Sequence, residues 1–263
     1  MEVNKKMLGV YFSGTGNTKF CIEKFCGHYD GSKPLSIEDY GIVEEISKSE
    51  EIVLAYPVYF SNTPKIVKDF ISSNSHCFAN KQIYIIATMG LFSGDGAGCG
   101  ARLLKKCGAR IIGGLHLKMP DCIGDVKALK KPLKQNRQIV TDAEQKIERA
   151  VKTLKQGKPT KEGLGFLYHV AGLFGQRLWF YGKTMRYTDK LVIEKSKCIG
   201  CGMCVALCPM TNITVSNQKA LAGNRCTMCY RCINTCPNKA ITLLGKEVVE
   251  QCKIENYILK QTE

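Results

Sequence analysis

Eight of the 15 cysteines fall in two short runs, CIGCGMCVALCP at residues 198–209 and CTMCYRCINTCP at residues 226–237. Both read C-x2-C-x2-C-x3-C-P, and the second repeats the first 28 positions later. Thiolates at this density suit soft metals or redox chemistry. A structural zinc ion takes four ligands, usually as two C-x2-C pairs. Each run already supplies four thiols, one too many in its tight loop for that use. Disulfides are the weaker alternative. The start, MEVNKKMLGVYF, has a short apolar run and no small-residue cleavage site, so it lacks the shape of a signal peptide. A cytoplasmic, reducing compartment is expected, and there regularly spaced cysteines point to metal or redox chemistry.

Over about residues 190–245 the spacing resembles that of bacterial ferredoxins with two [4Fe–4S] clusters. In those proteins the fourth cysteine of each run ligates the other cluster. The resemblance implies Cys198, Cys201, Cys204 and Cys236 as ligands of one cluster, and Cys226, Cys229, Cys232 and Cys208 as ligands of the second. Pro209 and Pro237 would turn the chain away after each crossing ligand. The repeat also extends past the cysteines: NITV follows the first run and AITL the second, with Ile213 and Ile241 again 28 apart. Gly200 and Gly202 avoid side-chain crowding in the first loop and leave its N–H groups free for a reduced cluster. Such clusters pass single electrons at low potential, so the C-terminal part reads as a wire.

At the other end, MLGVYF (7–12) reads as a buried strand, SGTGNT (13–18) follows at once, and Phe20, Cys21 and Phe25 then recur at helical spacing. Strand, small polar loop and helix form the geometry that holds a phosphate at a helix N-terminus. The loop has neither the G-K-[ST] of a nucleoside triphosphate site nor the third glycine of a dinucleotide site. Ser13, Thr15, Gly16, Asn17 and Thr18 instead match the phosphate loop of flavodoxins, a resemblance that implies FMN.

Further apolar strands are expected at 50–57, 81–88 and 109–117, with a weaker edge strand at 33–39. Helices are expected at 64–71, 101–107 and 140–157. Five strands alternating with helices imply an α/β fold, a flavodoxin-like, doubly wound, five-stranded parallel sheet of order 2-1-3-4-5 with its ligand at the strand C-termini. A small α+β ferredoxin domain should follow.

The flavodoxin resemblance assigns two more loops to the flavin. One is YPVYFSNT (56–63), with Pro57, Val58, Tyr59 and Phe60, of which Tyr59 is the candidate to stack on the ring. The other is TMGLFSGDGAG (88–98), with Met89, Gly90, Leu91, Phe92, Gly94 and Asp95. There the backbone would line the pyrimidine edge, Phe92 or Leu91 a face, and Asp95 the rim. Gly96, Gly98 and Ala101 match a dinucleotide fingerprint in residue type, but seven residues separate Gly96 from the strand, too many for the required tight turn. His28, His76, His116 and His169 share no ligand spacing, and no catalytic residue is legible.

Residues 163–189 form a connecting segment rich in apolar side chains, with Trp179 the only tryptophan. Its uninterrupted run is too short, and its glycines too frequent, for a membrane span. A helix buried between the two domains is the favoured reading, and a helix lying on a membrane surface the alternative. The formal charge is +15, spread along the chain without a basic arm, which argues against nucleic acid and is compatible with an acidic redox protein as partner.

Taken whole, the chain resembles the flavodoxin–ferredoxin fusion proteins of anaerobic bacteria and archaea. The resemblance implies an FMN-binding domain over 1–157, a connecting segment over 158–189 and a ferredoxin domain over 190–263. Electron transfer between two [4Fe–4S] clusters and FMN, linking a low-potential donor to a redox partner, is the favoured function. An FMN-dependent reductase of a small acceptor such as a quinone or a flavin is the alternative, and a non-catalytic interaction module a third.

Overall fold

The computed structural model describes residues 6–91, 94–174 and 186–258. Its main sheet is built from β1 (Met7–Tyr11), β2 (Leu35–Ser36), β3 (Glu51–Pro57), β4 (Gln82–Met89) and β5 (Arg110–Lys118). All pairings are parallel and the order is β2-β1-β3-β4-β5, as the alternation of elements predicts.

The strands are apolar without alternation because both faces are covered. Val53, Ala55, Tyr84 and Ile86 pack under α1 (Asn17–Tyr29) and α5 (Leu133–Lys155). Ile52, Leu54, Ile83 and Ile85 pack under α2 (Ile42–Lys48), α3 (Lys65–Ser73) and α4 (Gly96–Lys106). The period of two along each strand therefore divides one apolar run between two cores.

Three boundaries differ from the sequence reading. The edge strand is two residues long. Helix α4 begins at Gly96 rather than Ala101, because its glycines permit close packing: a Cβ on Gly98 would crowd the Gly163 carbonyl, and one on Gly100 the Tyr56 ring. Helix α5 begins directly after Pro132 rather than at Val140. Its polar first turns, LKQNRQ, hide the periodicity, and proline is well suited to the start of a helix.

The described part of the connecting segment is not buried between the domains. Residues 160–162 hydrogen-bond to Gly114 on the outer edge of β5. Helix α6 (Phe166–Gly172) then lies near α4, with Phe166 77% and Leu167 81% exposed. Trp179 lies outside the described residues. Among those described, no helix is long and apolar enough to cross a membrane.

The C-terminal part has its own core of Leu191, Ile213, Met228, Tyr230, Ile233, Ile241 and Leu243. Strand β6 (Val192–Ile193) pairs antiparallel with β9 (Ile241–Thr242), so the chain entering the first cysteine run is tied to the chain leaving the second. Strands β7 (Ile213–Ser216) and β8 (Lys219–Ala222) form a hairpin whose Asn217 and Gln218 both take positive φ, the turn that matches strand twist. The last described residues return to the first domain, where Ile254 and Tyr257 join the core beneath α1 and α5.

Candidate functional site

A cavity of about 330 Å³ opens at the C-terminal ends of the strands, within the size range of small-molecule and cofactor sites. The loop after β1 contributes Ser13, Gly14, Thr15, Asn17 and Thr18. The loop after β3 contributes Pro57, Val58, Tyr59, Phe60 and Ser61, and the loop after β4 Met89, Gly90 and Leu91. Most of the flavin residues expected from sequence thus meet on one cavity. Tyr59 is among them, and burial holds its phenol pKa well above the usual value.

Three expected residues do not line it. Gly16 takes φ +93° as the N-cap of α1 and backs onto Ile254, so it shapes the loop from behind. Gly94 packs against Gly172 of α6. Asp95 is fully buried beneath α4, where its carboxylate accepts hydrogen bonds from Arg102 (2.7 Å) and His169 Nδ1 (2.9 Å). It anchors the connecting segment and does not line the cavity. Phe92 lies outside the described residues. His116 is likewise structural: its Nε2 accepts from the Ala97 N–H at 3.1 Å, and burial lowers its pKa to about 4.

Two further groups of lining residues were not foreseen. Met119, Pro120, Asp121, Cys122 and Ile123 come from the loop after β5, and Met228, Cys229 and Tyr230 come from the second cysteine run. The order of a doubly wound sheet could have pointed to the first group. Nothing in the sequence placed the second group beside the loops after β1, β3 and β4.

The phosphate loop fits an anionic group. Ser13 Oγ, a hydroxyl able to donate, is buried without a protein hydrogen-bond partner, and the 13-residue helix α1 starts beside it; the Asn17 amide is turned away, its Nδ2 donating to the Pro120 carbonyl (2.7 Å). Buried polar atoms are normally satisfied, and a hydroxyl beside a helix N-terminus is a ready donor to phosphate.

The cysteines gather in the crossed sense. Cys198, Cys201, Cys204 and Cys236 surround one small cavity. Cys208, Cys226, Cys229 and Cys232 surround another. Backbone N–H groups already point at sulfur in a repeated pattern: Asn212 N donates to Cys208 Sγ (3.3 Å) and Ala240 N to Cys236 Sγ (3.3 Å), both four residues on. Ala220 N donates to Cys198 Sγ (3.4 Å) and Met228 N to Cys226 Sγ (3.4 Å). Such bonds favour thiolate over thiol, and the hydrogen bonds from Ala220 and Gly200 lower the Cys198 pKa. Among the described residues, no group of three or more His, Cys, Asp or Glu could hold a single metal ion. Four sulfurs placed around a cavity fit an iron–sulfur cube.

The two parts are locked at the phosphate loop. Arg231 donates to the Ser13 carbonyl (2.7 Å), to both Glu38 oxygens (2.7 and 2.9 Å) and to the Leu207 carbonyl beside Cys208 (3.1 Å). A Cβ on Gly14 would land on the Cys229 carbonyl oxygen. Ile254 N donates to the Thr15 carbonyl (3.1 Å). The Asn234 amide donates to the Cys122 carbonyl (2.9 Å) and accepts from Cys252 N (2.7 Å). Asp125 Oδ2 accepts from three successive N–H groups, those of Leu243, Leu244 and Gly245. Cys229 and Tyr230 line both the large cavity and the second cysteine cavity.

Residues 190–251 match the family described as 4Fe-4S dicluster domain. Among curated proteins, none matches the chain. Among solved structures, two-electron reduced Megasphaera elsdenii flavodoxin is similar at 20% identity, over 56% of this chain and 99% of its own, with a TM-score of 0.41. The Trp repressor binding protein from Bacillus subtilis is similar at 18% identity, over 55% and 99%, with a TM-score of 0.39. At these scores neither likeness bears on function; the fold rests on the strand order itself. A five-stranded parallel sheet of order β2-β1-β3-β4-β5 is thus followed in this chain by a 4Fe–4S dicluster domain over residues 190–251.

Proposed function

We propose that the protein carries electrons between two [4Fe–4S] clusters and a bound FMN, linking a low-potential donor to a redox partner. One observation supports this above the others: Cys229 and Tyr230 belong to the walls of both the large cavity and the second cysteine cavity. No layer of protein thicker than these residues separates the two sites. When bound, FMN would supply exchange of one or two electrons, and each cluster of one.

The chain's own residues order the relay. Ser13, Thr15, Asn17 and Thr18 would hold the phosphate, and the loops after β3 and β4 the ring. Cys208, Cys226, Cys229 and Cys232 would hold the cluster next to the flavin. Cys198, Cys201, Cys204 and Cys236 would hold the outer one, where Cys201 is exposed. Lys197, Lys219 and Lys239 sit at this outer end: Lys219 Nζ donates to the Cys198 carbonyl (2.6 Å), and Lys197 and Lys239 flank the ligand positions in sequence. A basic rim around an exposed ligand suits an acidic redox protein. All fifteen cysteines are free, as a reducing cytoplasm would keep them.

A second reading, reduction of a small acceptor at the FMN, draws on Asp121. This cavity residue has its carboxyl pKa raised by burial, so it could hold a proton for a substrate. Anaerobic purification with iron, sulfide and FMN quantified tests the first reading: about eight irons and one FMN per chain are expected from two four-iron clusters. Colourless protein without acid-labile sulfide would end it. Steady turnover of a quinone or free flavin, abolished in Asp121→Asn, would select the second.

A further inference from the structure

The 28-residue repeat allows the two cysteine loops to be compared position by position. In the first loop the left-handed positions are Gly200 (φ +70°) and Gly202 (φ +77°). Their counterparts in the second loop are Met228 (φ +59°) and Tyr230 (φ +60°). The backbone is the same, but the second loop places two large side chains where a Cβ is unfavourable. Strain of this kind persists where the surroundings hold it and collects at functional sites.

A Cβ on Gly200 would strike the Gln218 carbonyl, so crowding alone requires glycine there; at the second position space does not explain the difference. A Cβ on Gly202 would meet nothing within 4 Å, so glycine stands there for its conformation. At Tyr230 the same conformation is kept without glycine. Both Met228 and Tyr230 are buried, at 4% and 3% exposure, and both line the large cavity. No residue of the first loop does so. Tyr230 Oη is buried with the Asp125 carboxylate as its polar neighbour, so the phenol is held from the side of the C-terminal core while its ring lines the cavity. Gly14 packs on the Cys229 carbonyl with the Tyr59 hydroxyl beside it, and all three residues line the same cavity.

Resting on the flavin reading above, we propose that Met228 and Tyr230 are flavin-contact residues carried by the ferredoxin part, and that the second loop keeps its strained backbone to supply them. The FMN site is then incomplete in the flavodoxin-like domain alone. The loop that binds the inner cluster also closes the flavin cavity.

Both residues also belong to the small C-terminal core, so a packing role must be separated from a flavin role. The test uses the full chain, prepared without air and with its clusters in place. FMN is titrated into flavin-free protein, and iron and sulfide are counted in each variant. Wild type that takes up no FMN would sink the flavin reading itself, before any variant is compared. Given wild-type binding, Tyr230→Gly should weaken FMN binding tenfold or more at unchanged iron and sulfide. Binding within threefold of wild type would overturn the proposal. If Tyr230→Gly loses its clusters or fails to fold, Met228→Ala decides, because Met228 lines the same cavity and its truncation leaves Tyr230 in place. A Kd raised at least fivefold, or a shifted flavin absorption band, supports the contact. Unchanged Kd and spectrum overturn it.

Discussion

Arg231→Ala is the sharpest perturbation of the junction between the two parts. The side chain is 19% exposed and its partner Glu38 30%, so the pair lies between the surface and the buried limits. Exposed ion pairs contribute about 0–1 kcal/mol. Losing one partner of a buried pair costs about 3–5 kcal/mol. Arg231 also satisfies the Ser13 and Leu207 carbonyls, and hydrogen bonds involving a charged group contribute about 1.5–3 kcal/mol each where buried and less where water reaches the freed carbonyl. The guanidinium further lies 5.8 Å from the Phe12 ring centre, which adds a smaller cation–π term. We expect a loss of about 2–3 kcal/mol, with about 1–2 kcal/mol of it shared with Glu38 as a coupling energy. The assay is urea unfolding of the anaerobically prepared protein, in a double-mutant cycle with Glu38→Ala. At a slope near 3 kcal/mol/M the midpoint should fall by about 1 M. Arg231→Lys should recover little, because an ammonium cannot reproduce the two-pronged geometry. A loss under about 0.5 kcal/mol, or strict additivity with Glu38→Ala, would show that the contact is a surface pair and would refute the reasoning.

Gly14→Ala puts a methyl on the Cys229 carbonyl. Neither backbone segment can yield cheaply, so FMN binding should weaken at least tenfold by fluorescence titration. Cys208→Ala should strip the cluster held by the second run and leave the first, so iron content falls by about half; loss from the first cavity instead would disprove the crossed arrangement. The folded pKa of His116, about 4, is below its ordinary value of 6.5. The unfolded chain therefore binds the extra proton first as pH falls. The stability from His116 should be complete above about pH 6.5 and decline as pH drops toward about 4. Urea midpoints measured across that range should fall less steeply in His116→Gln, and equal slopes in the two proteins would contradict the assignment.

The residues of the cysteine runs were legible because local spacing alone sets which thiols share a loop. So was the loop after β1, where strand, small residues and helix follow without a gap. Asp95 misled for the opposite reason. It belongs to a loop expected to hold the flavin, but the turn at Gly94 sends it under α4 to meet Arg102 and His169. The connecting segment misled because its apolar composition predicts burial, whereas Phe166 and Leu167 stay on the surface.

Sequence by itself determined the doubly wound sheet and the duplicated thiol loops, since both follow from periodicities of two, 3.6 and 28 residues read along one stretch of chain. Only the tertiary structure decided that Cys229 and Tyr230 stand between the two kinds of site, that Arg231 fastens the phosphate loop, and that Ile254 and Tyr257 return to the first core. Those contacts join residues from about one hundred to more than two hundred positions apart in the chain. No local period encodes such a distance, and packing of the finished surfaces selects it.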